Sequence, residues 1–165
     1  MSDTIREKII KQIAARAAVI TTTNGYNTDM GLNVFRAVKD SAKKGLPACI
    51  VHPRPETAES NYGSVEMIMP VRIEGIVAYG SADASVVADQ ILGDLIKCFS
   101  DPSWDRRTLV TSPASPVAYL DPYDNGIKYK GGGTDEYPNA EDLTVGASVL
   151  IEVYYSTKLG NPYEQ

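Results

Sequence analysis

The stretch VEMIMPVRIEGIVAY, residues 65–79, decides how the rest of the chain reads. Val65, Met67, Met69, Val71 and Ile73 occupy alternate positions, with Glu66, Arg72 and Glu74 between them. A period of two marks a strand with one face on a core and the other toward solvent or a partner. The second face is mixed, because Ile68, Ile76 and Ala78 share it with the charges. Pro70 has no N–H to give to a ladder and Gly75 has no side chain, so an edge position or a bulge is expected at both. As one strand the stretch is long, against a usual length of about 5–6 residues.

Working outward, Val145, Ala147, Val149, Ile151, Val153 and Tyr155 alternate with Gly146, Ser148, Leu150, Glu152 and Tyr154. This second long alternation is the natural antiparallel partner of residues 65–79. LPACIVHP, residues 46–53, is apolar on both faces and reads as a central strand, and residues 34–38 read as a short one. Residues 4–18 place Ile5, Ile9, Ile10, Ile13 and Ala17 near one helical face, with Thr4 and Glu7 spaced as a capping box and Ser2 or Asp3 as alternative caps. Residues 83–99 repeat the pattern with Ala84, Ala88, Ile91, Leu92, Leu95 and Phe99, with an N-cap offered by Ser81-Ala82-Asp83 and Asp83, Asp89, Asp94 and Lys97 around the other side. Residues 54–64 are polar and read as an exposed loop or hairpin tip.

Asp124-Asn125-Gly126 predicts a small hairpin over residues 118–133, followed by an acidic turn from Gly131 to Pro138. Thr108 to Thr111 reads as a possible short strand, and Trp104 as either core or a partner anchor. The expected fold is α+β: one domain over residues 1–165, a two-layer α/β sandwich with a mostly antiparallel sheet of about four main strands. Two helices cover one face, and the stretch from 156 to 165 extends as an arm.

Composition bounds the function. Hydrophobic residues make up 43% and charged residues 22% of 165, ordinary for a globular domain. There is no apolar run of about 18 residues to span a membrane. The opening MSDTIREKIIKQIAAR mixes charges through its apolar positions, so export is not expected. Cys49 and Cys98 stand alone and read as buried thiols rather than a disulfide or zinc set. His52, the single histidine, lacks companions in a catalytic or metal-binding arrangement. Glu56 and Glu59 read as solvated loop carboxylates rather than an acid/base pair. No enzyme activity and no cofactor are expected.

Charge and tyrosine are unevenly spread. Residues 1–54 carry a net +5 and residues 55–165 a net −10. Surfaces of opposite sign favour head-to-tail self-association, unless folding interleaves the two regions. Lys128 and Lys130 alternate with Ile127 and Tyr129 as in a base-stacking surface, but acids outnumber bases around them, which disfavours nucleic-acid binding. Seven of the ten tyrosines fall in residues 119–163, and tyrosine is enriched at protein interfaces as well as in strands.

The order of these elements resembles the tail terminator proteins of long-tailed bacteriophages. The matching features are the IREKIIKQIAAR helix, the LPACIVHPRPE strand with its acidic end, the VEMIMPVRIEGIVAY strand and the ADQILGDLIKCF helix. The YKGGG element and the closing ASVLIEVYYSTKLGNPY strand complete the match, which covers most of the chain. The resemblance implies a non-enzymatic virion protein, assembled in the host cytoplasm. Such a protein forms a hexameric ring on the tail tube, stops tube polymerisation and meets the head–tail connector or stopper protein on its other side. DNA passes the lumen without specific binding. Another neck component such as a stopper, or a small-ligand α/β domain, remains as an alternative.

A ring needs a heterologous contact between unlike surfaces. Arg54, Glu56, Glu59, Tyr62, Ile68, Pro70, Tyr154, Tyr155 and Tyr163 are the candidate subunit or tail interface. Asp121, Asp124, Asp135 and Glu136 are candidate lumen residues, since an acidic wall repels phosphates.

Overall fold

The computed structural model describes residues 2–37, 45–100, 126–135 and 138–164. Helix α1 spans Ile5–Ala17, where the Thr4 hydroxyl caps the first turn by accepting from the Glu7 N–H at 3.1 Å. Its Ile5, Ile9, Ile10, Ile13 and Ala17 are all buried. The β-branched run after it makes a one-turn 3-10 helix, Thr22–Asn24, closed by Gly25 at φ 81°. Strands β1 (Val34–Arg36) and β2 (Ala48–Pro53) follow, then β3 (Thr57–Asn61) and β4 (Ser64–Ala78). Helix α2 (Ala84–Phe99) starts at Asp83, whose carboxylate accepts from the Ser85 N–H. Strands β5 (Ile127–Thr134) and β6 (Thr144–Lys158) complete the order.

The sheet runs β1-β2-β4-β6-β5, with β3 pairing β4. Among the described residues, β1 and β2 form the one parallel pair. The β4–β6 ladder is unbroken from Ser64↔Lys158 to Ala78↔Thr144, so the two long alternations do face each other. Met69, Val71 and Ile73 of β4 join Val149, Ile151 and Val153 of β6 and Cys49 and Val51 of β2 in one core with both helices. The fold is thus an α+β two-layer sandwich with a mostly antiparallel sheet, six-stranded among the described residues. Ala48 to Val51 are all buried, as a central strand requires. Cys49 and Cys98 are both buried, and burial pushes the Cys49 thiol up.

Several local expectations are corrected. Pro70 and Gly75 lie in a central strand without a bulge. The Pro70 carbonyl accepts from the Arg54 N–H at 2.9 Å, so its missing N–H faces the same side. That is where the chain crosses from β2, whose pairing starts at Val71, to β3, whose pairing ends at Ile68. Gly75 is there for packing: a Cβ would stand 2.5 Å from Met30 Sδ and 2.6 Å from Ile91 Cγ2. The glycine run 131–133 belongs to β5 rather than to an acidic turn. The first arm of the expected hairpin, the 108–111 strand and Trp104 lie outside the described residues.

Asp94, expected on the outer side of α2, is 1% exposed. Its carboxylate accepts from the Asn27 and Thr28 N–H groups, the Asn27 amide and the Thr28 hydroxyl at 2.8–3.0 Å. The C-terminal stretch is not a free arm from 156 on, because β6 runs to Lys158. Beyond it, Leu159 N–H donates to Gly63 O, and Pro162 O accepts from the Ile5 N–H.

Candidate functional site

The candidate residues gather at the end of the sheet where β3, β4 and β6 run together. The chain turns from β3 to β4 through Tyr62 and Gly63, both at positive φ (43° and 90°). Two such residues make the mirror-image turn that matches strand twist, and only the glycine adopts it without strain. The Ser64 hydroxyl donates to Asn61 O at 2.9 Å across the turn. Of the two readings of this stretch the hairpin tip is the one seen: β3 is one arm, β4 the other, and Tyr62 stands at the tip with the whole ring in solvent (105% exposed).

Along the body of the hairpin lies a groove of about 350 Å³ lined by Thr57, Glu59, Glu66, Ile68 and Tyr154 among others. The register explains the gathering: Thr57 faces Ile68, Glu59 faces Glu66, and Ile68 faces Tyr154 on the far strand. All five of these side chains share the face away from the helices. The Tyr154 hydroxyl donates to Glu152 at 2.7 Å, and the Lys128 ammonium stands 4.6 Å from the Tyr154 ring centroid. Glu59 and Glu66 form no ion pair among the described residues, although they sit directly opposite each other.

On the helix face of the same strands, the Tyr155 hydroxyl donates to Glu56, which also receives Arg6 Nε at 3.3 Å. Tyr155 is 3% exposed, and burial, reinforced by the Glu56 carboxylate, pushes its phenol above the ordinary range. Arg6 also donates to Arg54 O at 3.1 Å, so the start of α1 is tied to the β2–β3 crossing. A second hollow, about 220 Å³, opens here between Thr4, Arg6, Glu56, Met67, Tyr155 and Pro162.

The nine interface candidates thus divide by location. Glu59, Ile68 and Tyr154 meet in the groove. Glu56 and Tyr155 meet behind it, with Arg54 and Pro70 bonded to each other at the crossing. Tyr62 forms the tip, and Tyr163, 46% exposed, lies on the folded-back C-terminal stretch. Of the acidic candidates, Asp135 follows β5, where its N–H donates to Gly146 O at 2.8 Å. Asp121, Asp124 and Glu136 lie outside the described residues. His52 faces Glu74 at 3.1 Å, and Glu74 also takes Arg72 at 3.4 Å, a surface cluster on the face away from the helices.

The sequence did not single out Glu66, since its opposition to Glu59 depends on the hairpin register. The Asn61-Tyr62-Gly63-Ser64 turn was the available signal. A comparison with protein-family models and one with curated proteins each find no match.

Proposed function

We propose that this protein is a non-enzymatic structural component of a long-tailed bacteriophage virion. It caps the tail tube as a hexameric ring, ends tube polymerisation and offers its opposite surface to the head–tail connector. The observation that carries the reading is the β3–β4 hairpin. Its five β3 residues are all exposed, and Tyr62 stands free at the tip. An edge strand leaves a row of backbone groups ready to pair, and an exposed aromatic beside a groove is a typical contact anchor. Both features suit a protein whose work is done through contacts with copies and neighbours. The resemblance of the ordered elements to tail terminators supplies the biological setting.

In this reading DNA passes through the ring without specific binding, and Asp135 contributes to an acidic lumen. No cofactor takes part. No helix among the described residues is long and apolar enough to cross a membrane.

The test is to add the purified protein to polymerising tail-tube protein of the same virion and image the products. Rings at tube ends and shortened tubes are expected. Unchanged tubes with the protein bound only to the connector would move the assignment to a neck stopper. Binding to neither would overturn it.

A further inference from the structure

Strands β3 and β5 stand at edges on opposite sides of the β4–β6 ladder, and each pairs on one side only among the described residues. Their chemistry is complementary. On β3 and its partner, Glu59 and Glu66 are exposed and directly opposite each other, with no cation against them among the described residues. Like charges so placed in a sheet repel, and a cation from outside relieves the repulsion. On β5, Lys128 and Lys130 are exposed. Lys128 faces Glu152 in the register and stands over Tyr154, so it lies on the same sheet face as Glu66 and Ile68.

Strand direction fits as well. The β3–β4, β4–β6 and β6–β5 pairs are all antiparallel, so β3 and β5 run in opposite senses. Through the ladders Glu59 stands level with Ser156 and Lys128 with Glu152, so a second copy displaced sideways and shifted by those four residues along the strands, without turning over, brings its β5 antiparallel to β3. The acidic and basic side chains then fall on one side of a continuous sheet.

We propose that β3 of one copy pairs with β5 of the next, with Lys128 and Lys130 seated against Glu59 and Glu66. The proposal rests on the ring reading above and names the two halves of the subunit contact. The contact is heterologous, so each copy uses both edges and a closed ring leaves neither exposed. In the assembly Lys130 exchanges its 3.6 Å contact with Glu152 for carboxylates of the neighbour.

The test uses two variants of the full chain, Glu59→Lys with Glu66→Lys and Lys128→Glu with Lys130→Glu. Mass is read by light scattering and folding by circular dichroism. The wild type is expected to assemble, each folded variant to be monomeric alone, and their equimolar mixture to assemble again. Should a reversal unfold the chain, Glu59→Gln with Glu66→Gln is expected to raise the half-dissociation concentration about tenfold. An assembled wild type whose reversed or neutralised variants keep its mass would overturn the edge pairing and leave the ring reading standing. Folded variants that stay apart on mixing would also overturn it. A monomeric wild type would overturn the ring reading itself.

Discussion

The phenol of Tyr155 donates to the carboxylate of Glu56 across 99 residues of chain, and Arg6 closes on the same carboxylate at 3.3 Å. One partly buried contact thus joins the last strand, the β2–β3 crossing and the first turn of α1. Tyr155→Phe keeps the ring and removes only the donor. A hydrogen bond to a charged group contributes about 1.5–3 kcal/mol, and the low end applies because Glu56 keeps Arg6. Urea unfolding is expected to show a lower midpoint at unchanged slope.

Asp94 holds the loop at Asn27 and Thr28 through four donors while 1% exposed. Asp94→Asn has nearly the same shape but turns an amide N–H₂ toward those donors. A loss of about 2–3 kcal/mol is expected, because buried donors are left without acceptors. Amide exchange at Asn27 and Thr28 should speed up well beyond the global change, which a merely exposed aspartate would not produce.

Gly75→Ala tests why a glycine interrupts the central strand. The added methyl meets Met30 Sδ at 2.5 Å and Ile91 Cγ2 at 2.6 Å, so both side chains must give way. Overpacking of this kind costs about 1–3 kcal/mol. A Gly75→Ala variant that proves more stable than wild type in thermal unfolding would show that the glycine is not a packing requirement.

Glu7 pairs with Arg36 at 2.6 Å, and that hydrogen-bonded pair holds its carboxyl below the ordinary 4.5. A lowered folded value means that the contribution is complete above the ordinary value and is lost as pH falls through the folded one. The pair is partly exposed, so it contributes only about 0.5 kcal/mol. The stability gap between wild type and Glu7→Gln should be constant near neutral pH and close in acid.

The elements with strong periods were legible in the sequence. The apolar stripes of α1 and α2 marked both helices, and the caps at Thr4 and Asp83 are each one of several that the sequence offered there. The alternation in residues 65–79 and 145–155 marked the paired central strands. Features that depend on a neighbour were not legible. Pro70 sits centrally because the partner strand changes beside it, and nothing local to Pro70 says so. Asp94 looked like any surface acid until the loop carrying Asn27 and Thr28 folded over it. In the candidate site, Tyr154 and Ile68 were foreseen singly, but the Glu59–Glu66 opposition arises only from the hairpin register.

The proposed function requires that this chain form a ring. The most direct measurement is negative-stain microscopy of the purified wild-type protein, with its mass in solution taken on the same sample. The account predicts six-fold rings and a hexamer mass. Compact monomers at all concentrations would contradict it.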